Sequence, residues 1–205
     1  ASYFNYMRVM PLLHANKDHV QWYLIDDKVG TKPLHRESRV NKNLQLRGSQ
    51  FAEVDRLLEG DFSICGWEQG TGKMMNAIKV SECTLNRSII IVPTGLVGKW
   101  YEELLAWSYD SKNVCKVDVN YIKKHETIPM NEHEVYLITI SMLDKWYNKA
   151  INWDRKYNII IDEVDKFRRP FKVKRDDDTG AETIKNVKCW VVNNLRDKAN
   201  TLHWF

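Results

Sequence analysis

The chain has 205 residues, 43% of them hydrophobic and 28% charged, which suits one packed domain with a small appendage. A net charge of +4 is compatible with a phosphate-bearing partner without demanding one. The longest apolar stretches, such as the one around Ile89 to Pro93, are far too short to span a bilayer, and no secretory leader is visible, so no membrane partner is expected. The four cysteines, Cys65, Cys83, Cys115 and Cys189, form no C-x-x-C pair, and the six histidines show no ligand spacing. A reduced, intracellular protein with small apolar thiols, and no zinc site, is the expectation.

Residues 1–45 lack a strong period and hold apolar clusters such as Val20 to Ile25 between polar turns; they read as a small accessory region with one or two strands. From Leu46 onward a repeating alternation sets in. Short β-branched runs occur at Asp61 to Cys65, Ser88 to Val92, Val114 to Tyr121, Glu134 to Ile140 and Tyr157 to Ile161. Between them lie segments of helical spacing. In Leu96 to Trp107, residues Leu96, Trp100, Leu104 and Trp107 fall on one face of a helix, which makes Trp100 a core residue. The remaining tryptophans of the eight read as packing residues as well. Arg175 to Gly180 reads as a solvated loop, Lys185 to Arg196 as a helix and Thr201 to Phe205 as a closing strand.

Strands alternating with helices predict an α/β domain, a parallel sheet covered by helices on both faces. The near-continuous Ile89-Ile90-Ile91-Val92 and Ile159-Ile160-Ile161 runs fit strands buried on both sides.

The strongest local signal is Gly66-Trp67-Glu68-Gln69-Gly70-Thr71-Gly72-Lys73, placed after a predicted strand and before a predicted helix. Glycines let a backbone curl so that its N–H groups face phosphate oxygens, Lys73 adds charge at the β and γ phosphates, and the helix offers its N-terminal dipole. The rival reading is a glycine-rich turn with a stray lysine. Two departures stand out. Position 67 is Trp where a small residue is usual, and position 74 is Met where a hydroxyl normally helps hold Mg²⁺; a thioether is a poor ligand for that hard cation.

The second signal is Asn158 to Asp165, an apolar strand ending in Asp162-Glu163. That arrangement suits magnesium-assisted phosphoryl transfer, with Asp162 binding the metal and Glu163 orienting the attacking water. Two acids after a strand are common at any strand end. The pairing with Lys73 across intervening strand–helix units is what raises the signal.

Together these residues resemble motifs I and II of superfamily-2 helicases, and the surrounding text resembles the Swi/Snf-type branch. Leu46-Arg47-Gly48-Ser49-Gln50 stands where that branch carries an L-R-x-x-Q element. Ile91 to Trp100 is similar to motif Ia and Ile138 to Leu143 to motif Ib. The likeness covers residues 46–170, with the motifs in order. It implies a RecA-like P-loop lobe over 46–205, with ATP and Mg²⁺ as ligands. Arg47, Gln50, Gln69, Gly70, Thr71, Gly72, Lys73 and Met74 would line the nucleotide, Gln50 on the adenine, while Lys73, Asp162 and Glu163 would be catalytic. It further implies that Phe205 precedes motif III and that a second RecA-like lobe with its arginine fingers lies outside this chain, leaving the lobe near-inactive alone.

In such proteins the loops at the carboxyl ends of the strands grip a nucleic-acid backbone, DNA above all. Here that assigns Thr94 and Gly95, at a helix start, Thr139 and Ser141 through their hydroxyls, and Lys99 through its charge. Arg168 and Arg169 belong to the densest basic run, Lys166 to Arg175, whose acidic neighbours Asp176 to Asp178 also fit a plain solvated loop. The resemblance leaves two other functions open: a catalytically silent nucleic-acid-binding or regulatory module, which Met74 favours, and the motor lobe of a restriction enzyme. The excess of Lys over Arg, 20 to 11, fits an A·T-rich genome, phage or viral ones included.

Overall fold

The computed structural model describes residue 46 and residues 48–65, 71–84, 86–163, 167, 172–175 and 182–205. The accessory region expected over 1–45 therefore lies outside the described residues, as do Arg47, Gln69, Gly70, Arg168 and Arg169.

Six parallel strands form the centre. They are β1 (Phe62–Ile64), β2 (Ser88–Val92), β3 (Val114–Val117), β5 (Val135–Thr139), β7 (Tyr157–Ile161) and β10 (Ala199–Trp204), ordered β1-β10-β7-β2-β5-β3. Two short strands, β4 (Ile128–Pro129) and β6 (Ala150–Ile151), pair separately, and β8 (Lys172–Arg175) and β9 (Glu182–Lys185) make an antiparallel ribbon. The helices are α1 (Gly48–Glu59), α2 (Lys73–Cys83), α3 (Val97–Trp107), α4 (Val119–Lys124), α5 (Leu143–Lys149) and α6 (Val187–Leu195). This is the expected RecA-like architecture.

Why β2, β5 and β7 sit centrally is written in their composition. Every residue of the three is buried. Because successive side chains point to opposite faces, Ile89, Ile91, Ile138, Ile159 and Ile161 join one apolar cluster with Leu143 and Trp146 of α5 and Val191 and Leu195 of α6. Ile90, Val92, Leu137 and Ile160 join the other with Leu57 of α1, Ile78 of α2 and Trp100 and Leu104 of α3. Each such buried aliphatic side chain contributes about 1.5–3 kcal/mol relative to exposure. A strand that must be apolar on both sides cannot alternate, which is why it reads as a continuous run.

Three expectations need correction. The run Val114 to Tyr121 is a strand only to Val117. The Asp118 carboxylate accepts from the amides of Asn120 and Tyr121, capping α4, so β-branched Val119 begins a helix. Lys172–Arg175, the end of the basic run that also fits a solvated loop, is strand β8, paired through Lys172↔Lys185, Val173↔Ile184, Lys174↔Thr183 and Arg175↔Glu182. The closing strand starts two residues early, at Ala199.

Candidate nucleotide and nucleic-acid site

Parallel strands deliver all their carboxyl ends to one edge of the sheet, and Lys73, Thr94, Ser141 and Asp162 lie just past those ends. β1 is followed by residues 66–70, which lie outside the described residues, and the description resumes at Thr71. Gly72 has φ +90°, in the left-handed region that favours glycine, and its carbonyl accepts from the amides of Met75 (3.0 Å) and Asn76 (3.4 Å) to start α2. Lys73 is thus the first residue of α2, half-buried at the positive end of that helix.

Gln50 reaches this turn from α1. It is buried, and its Nε2 donates to the Thr71 carbonyl at 3.4 Å. A Cβ added at Gly72 would stand 2.1 Å from that Nε2, so glycine at 72 and glutamine at 50 fit each other. Met74, next along, packs against the apolar cluster on the α1–α2–α3 side of the sheet.

Asp162 follows the last residue of β7. Its amide donates to the Ile91 carbonyl at 2.9 Å, continuing the sheet ladder by one residue. Its Oδ1 accepts from the Glu163 amide at 3.0 Å, and its Oδ2 accepts from the Trp100 indole Nε1, also at 3.0 Å. Burial pushes the Asp162 carboxyl above the usual carboxylate range, and the neighbouring Glu163 charge adds to the rise. The Trp100 indole, the Glu163 amide and the Lys73 charge oppose it, so Lys73 and Asp162 lie within electrostatic reach of each other. Glu163 itself takes φ +55°, a left-handed conformation uncommon for a non-glycine residue and one that concentrates at functional sites.

Of the residues assigned to nucleic acid, Thr94, Gly95, Thr139 and Ser141 lie at the next two strand ends. Thr94 Oγ1 and Ser141 Oγ are 2.9 Å apart, linking the ends of β2 and β5. Thr139 is buried, 2% exposed, and its hydroxyl lies 3.2 Å from that of Ser141, so it supports Ser141 instead of facing solvent. Thr94, Gly95 and Lys99 are exposed. Thr94 to Leu96 form a 3₁₀ turn before α3, and the Leu96 amide is already bonded to the Pro93 carbonyl at 2.9 Å, so it is not a free phosphate donor. Beyond Asp162 the β8–β9 ribbon places Lys172, Lys174 and Lys185 on one face, with Lys172 directly opposite Lys185. All three are exposed, and among the described residues none has an ion-pair partner.

The sequence favours Trp100 as a core residue over a nucleic-acid contact. It is 1% exposed, as expected, but its indole N–H ends on the candidate metal carboxylate. The signal available was chemical: the N–H of a buried tryptophan usually finds a partner.

Comparison with known proteins agrees with this architecture. No protein-family model matches the chain, and no curated protein matches it either. Among solved structures, the chain is similar to the SWI2/SNF2 ATPase core of Sulfolobus solfataricus in complex with dsDNA. The TM-score is 0.60 at 17% identity, over 82% of this chain and 33% of that one. It is also similar to the UvsW helicase from bacteriophage T4, with a TM-score of 0.55 at 13% identity, over 83% of this chain and 56% of that one. The chain shares its fold with these two structures, an ATPase core and a helicase. The chain spans a third and just over half of those two proteins, respectively. Among the described residues no helix is long and apolar enough to cross a membrane.

Proposed function

We propose that residues 46–205 are the first, ATP-binding lobe of a nucleic-acid-dependent ATPase, a DNA translocase or helicase, with residues 1–45 an accessory region. One observation carries the reading. A lysine that opens a helix after a left-handed glycine and an Asp-Glu pair that ends a buried strand lie at one sheet edge, near enough for Lys73 to act on Asp162.

In this reading Lys73 binds the β and γ phosphates, the backbone around Thr71 and Gly72 cradles them, and Gln50 stays on the wall beside the adenine. Glu163 orients the attacking water. The donor set fits Mg²⁺ of the kind held mostly by phosphates and water: each Asp162 oxygen accepts one hydrogen bond and keeps a lone pair, directly or through water. When bound, Mg²⁺ neutralises charge on the transferring phosphoryl group. Thr94, Ser141 and Lys99 contact a nucleic-acid backbone, Thr139 holds Ser141 in place, and Arg168 and Arg169 with the lysine face of the β8–β9 ribbon extend that contact. A complete catalytic cycle belongs to this lobe together with a second one.

Lys73→Ala should weaken ATP binding by roughly 10- to 100-fold in calorimetry, since it deletes a charged partner of the phosphates. Equal binding by the two proteins would sink the phosphate-loop assignment. Nucleic-acid binding should fall steeply with salt and depend little on sequence. A second reading, a catalytically silent regulatory module, draws on Met74, whose side chain packs on the apolar cluster where a metal-side hydroxyl is expected. Nucleic-acid binding without any Mg²⁺-dependent nucleotide binding would favour it.

A further inference from the structure

We propose that Trp100 is a positioning residue for the nucleotide site: its indole N–H fixes the Asp162 carboxylate in the orientation that receives Mg²⁺. The proposal rests on the nucleotide reading above and assigns within it a role to a residue of a different helix.

The geometry is specific. Trp100 lies one turn into α3, buried in the apolar cluster that includes Val92, Leu104, Trp107 and Ile160. From there its Nε1 reaches Asp162 Oδ2 at 3.0 Å, across 62 residues of sequence. Four other tryptophans of the fold do not send the same donor to a distant residue. Trp107 donates to Glu103 one turn back on its own helix, Trp153 to the carbonyl of Ala150, and the indole nitrogens of Trp146 and Trp204 are buried with no partner. Among these five, Trp100 alone carries its N–H across the sequence to a carboxylate at the end of another element.

The consequence is rotational. With Oδ2 tied to Trp100 and Oδ1 to the Glu163 amide, the carboxylate cannot turn about its terminal torsion without breaking a bond on each side. The remaining lone pairs are thereby aimed, not averaged. A hydrogen bond to a metal-binding carboxylate from an outer partner is worth about 10- to 100-fold in metal affinity. The need for such help is greater here because Met74 supplies no oxygen.

The test uses the 205-residue chain in two variants: Trp100→Phe, and the same position carrying 3-benzothienylalanine, an isosteric ring with sulfur in place of N–H. The first readout needs no ligand. In ¹H–¹⁵N spectra the Trp100 indole resonance should shift on Asp162→Ala and on no comparable surface change. The second is the Mg²⁺ concentration that half-saturates tight binding of the β,γ-imido analogue of ATP. It should rise about tenfold or more in both variants, while binding of the analogue in EDTA stays as in wild type. The EDTA arm separates positioning from a general loss of fold, and the benzothienyl variant keeps the packing if phenylalanine does not. If wild type responds to Mg²⁺ and the variants respond alike, the proposal falls and the nucleotide reading stands. An indole resonance blind to Asp162→Ala also overturns it. If wild-type binding ignores Mg²⁺, the metal reading falls and takes this proposal with it.

Discussion

The two halves of the candidate nucleotide site are built differently. Asp162 is held from three directions: Ile91 of the neighbouring strand, Trp100 of the overlying helix and the amide of the next residue. Lys73 instead takes its place from a backbone conformation, the left-handed Gly72, with Gln50 of α1 leaning on the turn at a long 3.4 Å. The carboxylate half is thus a property of the sheet and its cover, whereas the lysine half is a property of one glycine and one neighbouring helix. Damage to the first should show as altered metal response, damage to the second as altered phosphate affinity.

The strand between the halves offers the largest effect. β10 separates β1, which leads to the loop, from β7, which leads to Asp162. His203 on β10 is wholly buried, its Nδ1 lies 2.6 Å from Ser63 Oγ on β1, and its Nε2 has no partner. Burial, with some help from Arg56, pulls its pKa down to about 4. In the unfolded chain the ring protonates near the ordinary value of about 6.5. Between those values the unfolded state binds more protons, so stability falls as pH drops from about 6.5 to about 4, by on the order of 3 kcal/mol. Below about 4 this group adds no further loss. Urea midpoints at stepped pH should show the decline in wild type and lose this part of it in His203→Asn. Parallel curves would mean that His203 does not control the join between the halves.

The second effect is confined to the lysine half. Gly72→Ala demands a positive φ of a residue with a Cβ and drives that Cβ toward Gln50 Nε2. The cost should be about 1–2 kcal/mol in stability, with weakened ATP binding and an unaltered Trp100 indole resonance. Adding Gln50→Ala removes the clash but not the backbone strain, so the double variant should recover part of the loss. Full recovery would show that the left-handed turn itself is undemanding.

How much of this was readable beforehand follows the same division. β2 and β7 were legible to the residue because burial on both faces requires unbroken β-branched runs, and Ser88–Val92 and Tyr157–Ile161 are that. The places of Lys73 at a helix start and of Asp162 and Glu163 just past a strand end were legible from the turn and strand patterns around them. Asp118 misled because its capping role depends on where its carboxylate turns, not on the β propensity of Val114 to Tyr121. The β8–β9 ribbon was missed because both strands are only four residues long and β8 is exposed throughout, so no core period marks them. Trp100 was half legible. Its spacing gave the buried face, but a partner 62 residues away leaves no local trace.

The smallest effect is the sharpest test of the contrast between the halves. Met74 lies beside Lys73, yet its side chain is committed to the apolar cluster over the sheet. Met74→Thr withdraws that packing and should cost about 1 kcal/mol of stability, the usual scale for trimming a half-buried aliphatic chain. In return it restores a hydroxyl oxygen, the kind of ligand Mg²⁺ prefers. The Mg²⁺ concentration needed for tight nucleotide binding should therefore fall several-fold even as the unfolding midpoint falls. Those opposite signs are the point, since a variant that only loosened the fold would weaken both. If the Mg²⁺ titration does not move, the metal is held from the Asp162 side alone, and the lysine half contributes charge without coordination. Combining Met74→Thr with Trp100→Phe then decides whether the halves act on one ion. A hydroxyl that binds the same metal should recover part of the affinity that loss of the indole removes.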